Sequence, residues 1–359
     1  MVELTRREAA LLGLAAIAPV AGVSAVAKDA EESGRSIGPE DLLRYVDPEL
    51  RSFLRTLPPA ATEVTLEEVK RWRRNSEPQA NGAPVAAVEA RSIPGPRGAP
   101  EVRLFIVGAS TTQRPRPAVL YMHGGGYVSG NTASSWPRYT GLQDIAKAHD
   151  CTVVSVDYRL APETPFPGAL EDNYAALKWL HANAESLGVD RTRIAVMGES
   201  AGGGHAATLS IAARDRGEIP ILFQLLIYPM LDDRTGSTRD VPPHVGAFIW
   251  TRQANRFGWS SLLGVPAGSQ RVPKDSVPAR ATNLRGLPPT YIGVGALDLF
   301  VREDIEFAER LIDAGVTTEL AVAPGAYHGF FFLAPDAEIS KRFSTAYNAA
   351  LAKAFATGI

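Results

Sequence analysis

Cysteine is nearly absent from this chain of 359 residues, Cys151 being the single one. An intrachain disulfide framework and any zinc site built from several thiolates are thereby excluded. Metal chemistry would have to rest on histidine and carboxylate alone, and only six histidines are available. Excess charge of one sign is lacking too: 37 Lys and Arg stand against 39 Asp and Glu, a net charge of −2. That balance offers no general attraction to nucleic acid or to an anionic membrane. The 32 glycines and 27 prolines fall well short of a low-complexity composition, and 45% of residues are hydrophobic. The chain is therefore globular and long enough to bury a large core.

One long apolar run exists, Ala9 to Ala27, preceded by Thr5-Arg6-Arg7 and closed by Ala25-Val26-Ala27 before Lys28-Asp29. Charge, mild apolar stretch and small-residue site in this order resemble a twin-arginine export signal, which predicts a periplasmic or secreted protein. Gly13, Pro19, Gly22 and Ser24 weaken the run, which argues against stable membrane insertion. The alternative is an Ala-rich first helix of a cytoplasmic protein.

From residue 28 to 84 the chain is charged, with apolar residues at three- and four-residue spacing (Leu42, Leu43, Tyr45, Val46; Val64, Leu66, Val69, Trp72), which predicts two or three short helices. From 85 onward short apolar strands alternate with amphipathic helices. This pattern predicts an α/β domain with a mostly parallel sheet covered on both faces. The stretch from about 232 to 282 interrupts the alternation with prolines and an aromatic group (Phe248, Trp250, Phe257, Trp259), as an insertion folding over something would.

In such sheets chemistry sits beyond the carboxyl ends of the strands. After Ile194 to Met197 comes Gly198-Glu199-Ser200-Ala201-Gly202, a G-x-S-x-G sequence between strand and helix. There the turn is too tight for β-carbons on the flanking residues, and it thrusts Ser200 out above the sheet as a nucleophile. After Val119 to Met122 comes His123-Gly124-Gly125-Gly126-Tyr127. Three bare glycines let backbone N–H groups approach a developing oxyanion. The expected donors are Gly124, Gly125 and Ala201, with Gly126 as a third from the loop. A phosphate-cradling loop would call for a lysine or a following helix, and Tyr127-Val128-Ser129-Gly130 supplies neither. His123 fits a loop-fixing role.

A serine needs a general base oriented by an acid. In the chain order nucleophile, acid, base, Asp298 follows the strand Thr290 to Val294 and His328 follows Thr318 to Val322. Asp304 is the runner-up acid, one helical turn too late. The other histidines fall before a strand (His149), inside helices (His181, His205) or in the insertion (His244). Tyr127, Trp72, Phe248 and Trp250 are candidates for an apolar pocket, the alternative being that they hold the cap onto the core.

Together the motifs His123 to Tyr127, Asp157-Tyr158-Arg159-Leu160-Ala161-Pro162-Glu163, Gly198 to Gly203, Asp298 and His328-Gly329-Phe330 resemble, in order, the hormone-sensitive-lipase-like branch of the α/β-hydrolases, which includes bacterial family IV carboxylesterases. The resemblance covers roughly residue 84 to the end. It implies an eight-stranded sheet, a cap made from residues 28–84 and the insertion, and hydrolysis of short- to medium-chain carboxylic esters through Ser200, His328 and Asp298. It implies no cofactor or metal and a small-molecule substrate, and it leaves a homodimer open. It also implies that Arg159 and Glu163 brace loops near the site. Two positions depart from the pattern: Glu199 stands where aspartate is commoner, and Leu299 where proline is usual. An amidase or peptidase on the same triad stays open, and a non-catalytic ligand-binding module is disfavoured by retention of all three groups.

Removal of residues 1–27 is expected to leave folding and activity intact, whereas Arg6→Lys with Arg7→Lys stops export at unchanged specific activity; assays of fractionated cells check both.

Overall fold

The computed structural model describes residues 39–57, 63–76, 88–110, 114–131 and 141–357. The segment 1–27, with the export expectation attached to it, lies outside the described residues.

Eight strands form one sheet: β1 (Val88–Ile93), β2 (Val102–Val107), β3 (Arg116–Met122), β4 (Thr152–Asp157), β5 (Val189–Glu199), β6 (Phe223–Ile227), β7 (Thr290–Gly295) and β8 (Thr318–Ala323). Their order is β1-β2-β4-β3-β5-β6-β7-β8. β2 runs antiparallel to both β1 and β4, and the remaining pairs are parallel. The central strands read as continuous apolar runs because both of their faces are buried. Val119 and Tyr121 of β3 enter one apolar cluster while Ala118, Leu120 and Met122 enter the other, and β5 divides the same way.

The helices in chain order are α1 (Pro39–Leu43), α2 (Arg51–Leu54), α3 (Leu66–Ser76), α4 (Leu142–Ala148), α5 (Gly168–Ala182), α6 (Ala201–Arg216), α7 (Arg252–Leu263), α8 (Val301–Asp313), α9 (Phe330–Leu333) and α10 (Glu338–Thr357). One face of the sheet packs on α5, α6 and α8 through residues such as Leu177, Leu209 and Phe307. The other packs on α4 and α10 through Ile145, Phe343 and Leu351. Among the described residues no helix is long and apolar enough to cross a membrane.

The N-terminal helices and the insertion share that second cluster, which contains Leu42, Leu50, Val69 and Trp72 as well as Trp250, Trp259 and Leu262. A reciprocal capping box starts α3: the Thr65 amide donates to Glu68 Oε2 at 3.0 Å, and the Glu68 amide donates to Thr65 Oγ1 at 3.2 Å. The N-terminal segment grips the loop that follows β8. The Asp47 amide donates to Gly325 O (3.0 Å), and the Tyr327 hydroxyl donates to Leu50 O (3.2 Å). The insertion is stapled where it leaves β6. Asp232 and Asp233 are fully buried there, Asp232 held by Arg234 and Arg239 and Asp233 by Arg280. Burial alone would raise the Asp232 carboxyl, but the Arg234 and Arg239 guanidinium groups bring it below the ordinary carboxylate range.

Trp72→Ala, which empties a large buried volume under α3, is expected to lower the unfolding free energy by about 3–5 kcal/mol in urea titrations.

Candidate active site

The turn after β5 sets the geometry. Ser200 sits at φ +58° and ψ −123°, a left-handed conformation that costs a non-glycine residue about 1–3 kcal/mol. Crowding explains the flanking glycines. A Cβ on Gly198 would lie 2.3 Å from the Gly202 backbone, and one on Gly202 would lie 2.1 Å from Met122 O of the neighbouring strand. The elbow is pinned by Ser200 N donating to Ile227 O (2.9 Å) and Met230 N donating to Ser200 O (2.9 Å).

Parallel register aligns the other loops with it. Met122 pairs with Gly198, so the glycine loop emerges beside the elbow, and Gly295 pairs with Ala323, so the loops carrying Asp298 and His328 emerge together. Ser200 Oγ lies 3.0 Å from His328 Nε2, and His328 Nδ1 lies 2.8 Å from Asp298 Oδ2. Asp298 is fully buried, its Oδ1 accepting the Phe300 amide at 3.0 Å. Three rings surround the imidazole: Tyr228 at 4.5 Å, Phe300 at 5.4 Å edge-on and Trp250 at 6.3 Å between centroids. Asp304 is fully buried one turn into α8 and makes no contact with His328 among the described hydrogen bonds.

The glycine loop differs from expectation at its first residue. Gly124 N–H points at Glu199 Oε1 (3.4 Å), on the side of the loop where the carboxyl is buried, and is thereby withdrawn as an oxyanion donor. The amides of Gly125 and Gly126 make no hydrogen bond among the described residues, and Ala201, first residue of α6, has no intrahelical acceptor. Gly125 (φ +128°), Gly126 (φ +62°) and Tyr127 (φ +69°) turn in succession through positive φ. A Cβ on Gly126 would fall 2.0 Å from the Trp250 indole, so the ring lies flush against the loop.

Of the pocket candidates, Trp250 alone is placed beside the imidazole. The Tyr127 ring packs edge-on to His205 and Trp259, and its hydroxyl donates to Met230 O (2.7 Å), so it supports the loop from behind rather than lining a pocket. Phe248 packs on Tyr327, and Trp72 sits in the apolar cluster beneath α3. Ile249 between Phe248 and Trp250 has φ +65°, and Trp250 N donates to Phe248 O (2.8 Å), a tight three-residue turn that aims the indole.

His123 fixes the loop: its Nδ1–H donates to Gly124 O at 2.8 Å and its ring stacks on Tyr158. His205 is buried between tyrosine rings, where burial and then His123 push it down to about 3, so it is neutral. Glu199 accepts from the Tyr121 hydroxyl, and burial pushes its carboxyl up to about 8 against the opposing effect of these hydrogen bonds. Among the described residues no group of three or more His, Cys, Asp or Glu is arranged to hold a metal ion.

Sequence reasoning missed Arg73. From α3 it donates to Val128 O (2.7 Å), Ala161 O (2.7 Å) and both oxygens of Glu163 (2.8 Å each). Its partners lie 55 to 90 residues away, so no local pattern could have marked it. Arg159 braces the same loop by a bidentate pair with Asp172 at 2.8 and 2.7 Å.

A family-wide sequence pattern for the alpha/beta hydrolase fold matches residues 119–332. Esterase LipI of Mycobacterium tuberculosis is 36% identical over 287 residues, 79% of this chain and 88% of its own. The chain belongs to the hormone-sensitive-lipase-like branch of the α/β-hydrolases. Among solved structures of this family, esterase LipW from Mycobacterium marinum superposes with a TM-score of 0.75 at 34% identity, covering 94% of this chain and 99% of that one. A bacterial heroin esterase gives 0.74 at 37% identity, covering 87% and 99%. Like these family IV relatives, the protein is a carboxylic ester hydrolase.

The raised Glu199 carboxyl has a sign that can be checked. Between the ordinary carboxyl value and about 8 the unfolded chain has released this proton while the folded protein keeps it. Its contribution to stability is therefore complete at acid pH and declines as pH rises through that window, by up to about 1.4 kcal/mol per pH unit. Glu199→Gln is expected to gain on the native protein by that slope between pH 5 and pH 8 in denaturant titrations, and a flat difference would refute the shift.

Proposed function

We propose that the protein is a serine carboxylesterase that cleaves small-molecule esters of short- to medium-chain acids through an acyl-enzyme on Ser200. The observation that carries this reading is the unbroken polar chain from Ser200 Oγ through His328 to Asp298, at 3.0 and 2.8 Å.

In this reading His328 Nε2 takes the Ser200 proton as Oγ attacks the ester carbonyl. The carbonyl oxygen becomes an oxyanion beside the amides of Gly125, Gly126 and Ala201, donors oriented before the reaction. Asp298, held by the Phe300 amide and by His328 Nδ1–H, fixes the tautomer and balances the charge of the imidazolium. The imidazolium then protonates the leaving alcohol. Water, deprotonated by the same nitrogen, attacks the acyl-enzyme, and collapse of the second oxyanion frees the acid and Ser200. The indole of Trp250 against Gly126 and the rings of Tyr228 and Phe300 around the imidazole give the site apolar surroundings that suit the acyl part of an ester. The twin-arginine-like start supports export.

Ser200→Ala and His328→Ala are each expected to lower kcat by roughly 10⁴ or more, with the double variant little worse, because the two act as one unit. The assay is hydrolysis of p-nitrophenyl esters graded by acyl length, run beside matched anilides. Additive losses would exclude the shared mechanism, and equal turnover of anilides would make the protein an amidase.

A further inference from the structure

The oxyanion loop is a turn held both by its own hydrogen bonds and by contacts from other segments. Three consecutive residues, Gly125, Gly126 and Tyr127, have positive φ, and tyrosine tolerates that conformation only where its surroundings impose it. Inside the turn, the Val128 and Ser129 amides and Ser129 Oγ all donate to one acceptor, Gly125 O (3.2, 2.9 and 2.9 Å). From outside, the Tyr127 hydroxyl donates to Met230 O (2.7 Å), the Ala161 amide donates to Tyr127 O (3.0 Å), and Arg73 Nε donates to Val128 O (2.7 Å). The same guanidinium reaches Ala161 O and both Glu163 oxygens. Four of its five N–H groups are thus engaged in one plane, a pattern that an ammonium group cannot reproduce.

We propose that Arg73 is a positioning residue for the oxyanion hole, so that the cap helix α3 is part of the catalytic machinery as well as a cover. The proposal rests on the reading of Gly125 and Gly126 as oxyanion donors. Arg73 lies on the cap, while the groups it touches lie on the glycine loop itself (Val128) and on the neighbouring loop after β4 (Ala161, Glu163). Seating α3 therefore sets the direction of the Gly125 and Gly126 amides, and lifting it releases Val128 O and loosens the turn. A plain ion pair with Glu163 predicts otherwise, because the loss of either partner would then be equivalent. Here the bonds to the carbonyls carry the effect, and Glu163 serves to hold the guanidinium flat.

The test compares Arg73→Met, Arg73→Lys and Glu163→Gln in the full chain. The readouts are kcat and KM on p-nitrophenyl acetate and the inhibition constant of a trifluoromethyl ketone, whose adduct with Ser200 carries an oxyanion. Arg73→Met is expected to lose about tenfold or more in kcat with KM within about threefold, and to bind the ketone more weakly by the same factor. Glu163→Gln, in which Arg73 keeps both carbonyl contacts, stays within about threefold of the native kcat, and Arg73→Lys falls between the two. Should the methionine variant not fold, the lysine variant is the readout. Native kcat and ketone affinity in the Arg73 variants, a change confined to KM, or equal losses in Arg73→Met and Glu163→Gln would each overturn the proposal. A fully active Ser200→Ala would overturn the site reading and this proposal together. An inactive Ser200→Ala beside a fully active Arg73→Met would overturn this proposal alone.

Discussion

A tight turn from β5 through Ser200 into α6 constrains everything around it. For Ser200 to sit at φ +58°, strand and helix must approach so closely that Gly198 meets the backbone of Gly202, and Gly202 meets the carbonyl of Met122 on the adjacent strand. That proximity ties Ser200 to β3 and so to the glycine loop that follows it. Ser200 also bonds at its amide and carbonyl to Ile227 and Met230, so the end of β6 is fixed as well, and from there the insertion departs. The strain at one residue is borne by four elements that have few other ways to pack.

Asp298 and His328 are placed by a gentler device. β7 and β8 are parallel neighbours, and Ala296 and Leu297 donate to Ala323 O and Ala326 O, so the two loops rise as one unit. A fully buried Asp298 accepts the Phe300 amide on one oxygen and faces His328 with the other, a division that leaves the imidazole one orientation. Aromatic rings then close around it. Charges that the insertion must bury at its root are neutralised by Arg234, Arg239 and Arg280, whereas Glu199 has no basic partner among the described ion pairs and keeps its proton to about pH 8. Its carboxyl accepts from the Tyr121 hydroxyl.

The cap contributes more than apolar cover. Its N-terminal half bonds to the loop that carries His328 through Asp47 and Leu50, and to the glycine loop and the loop ending in Glu163 through Arg73. One segment thus bonds to loops on both sides of Ser200, loops that the sheet places after separate strands.

Much of this was legible in the sequence, because it depends on local chemistry. Continuous apolar strands state that both faces are covered, G-x-S-x-G between strand and helix states a turn that excludes side chains, and the order of Ser200, Asp298 and His328 follows the order of strand ends. What the sequence could not state is the direction in which a group points. Gly124, Gly125 and Gly126 are chemically identical, and only the burial of Glu199 on one side and the Trp250 indole on the other decide which amides are left free. Tyr127 and Phe248 read equally as pocket aromatics or as packing between cap and core, and only the placement of His205, Trp259 and Tyr327, neighbours supplied by distant segments, shows where their rings lie. Arg73 is an ordinary arginine on an amphipathic helix until the fold brings Val128, Ala161 and Glu163 to it. Backbone conformation and burial are written in short stretches of sequence, whereas hydrogen-bond direction and ring placement depend on partners tens of residues away, and only the tertiary structure decides them.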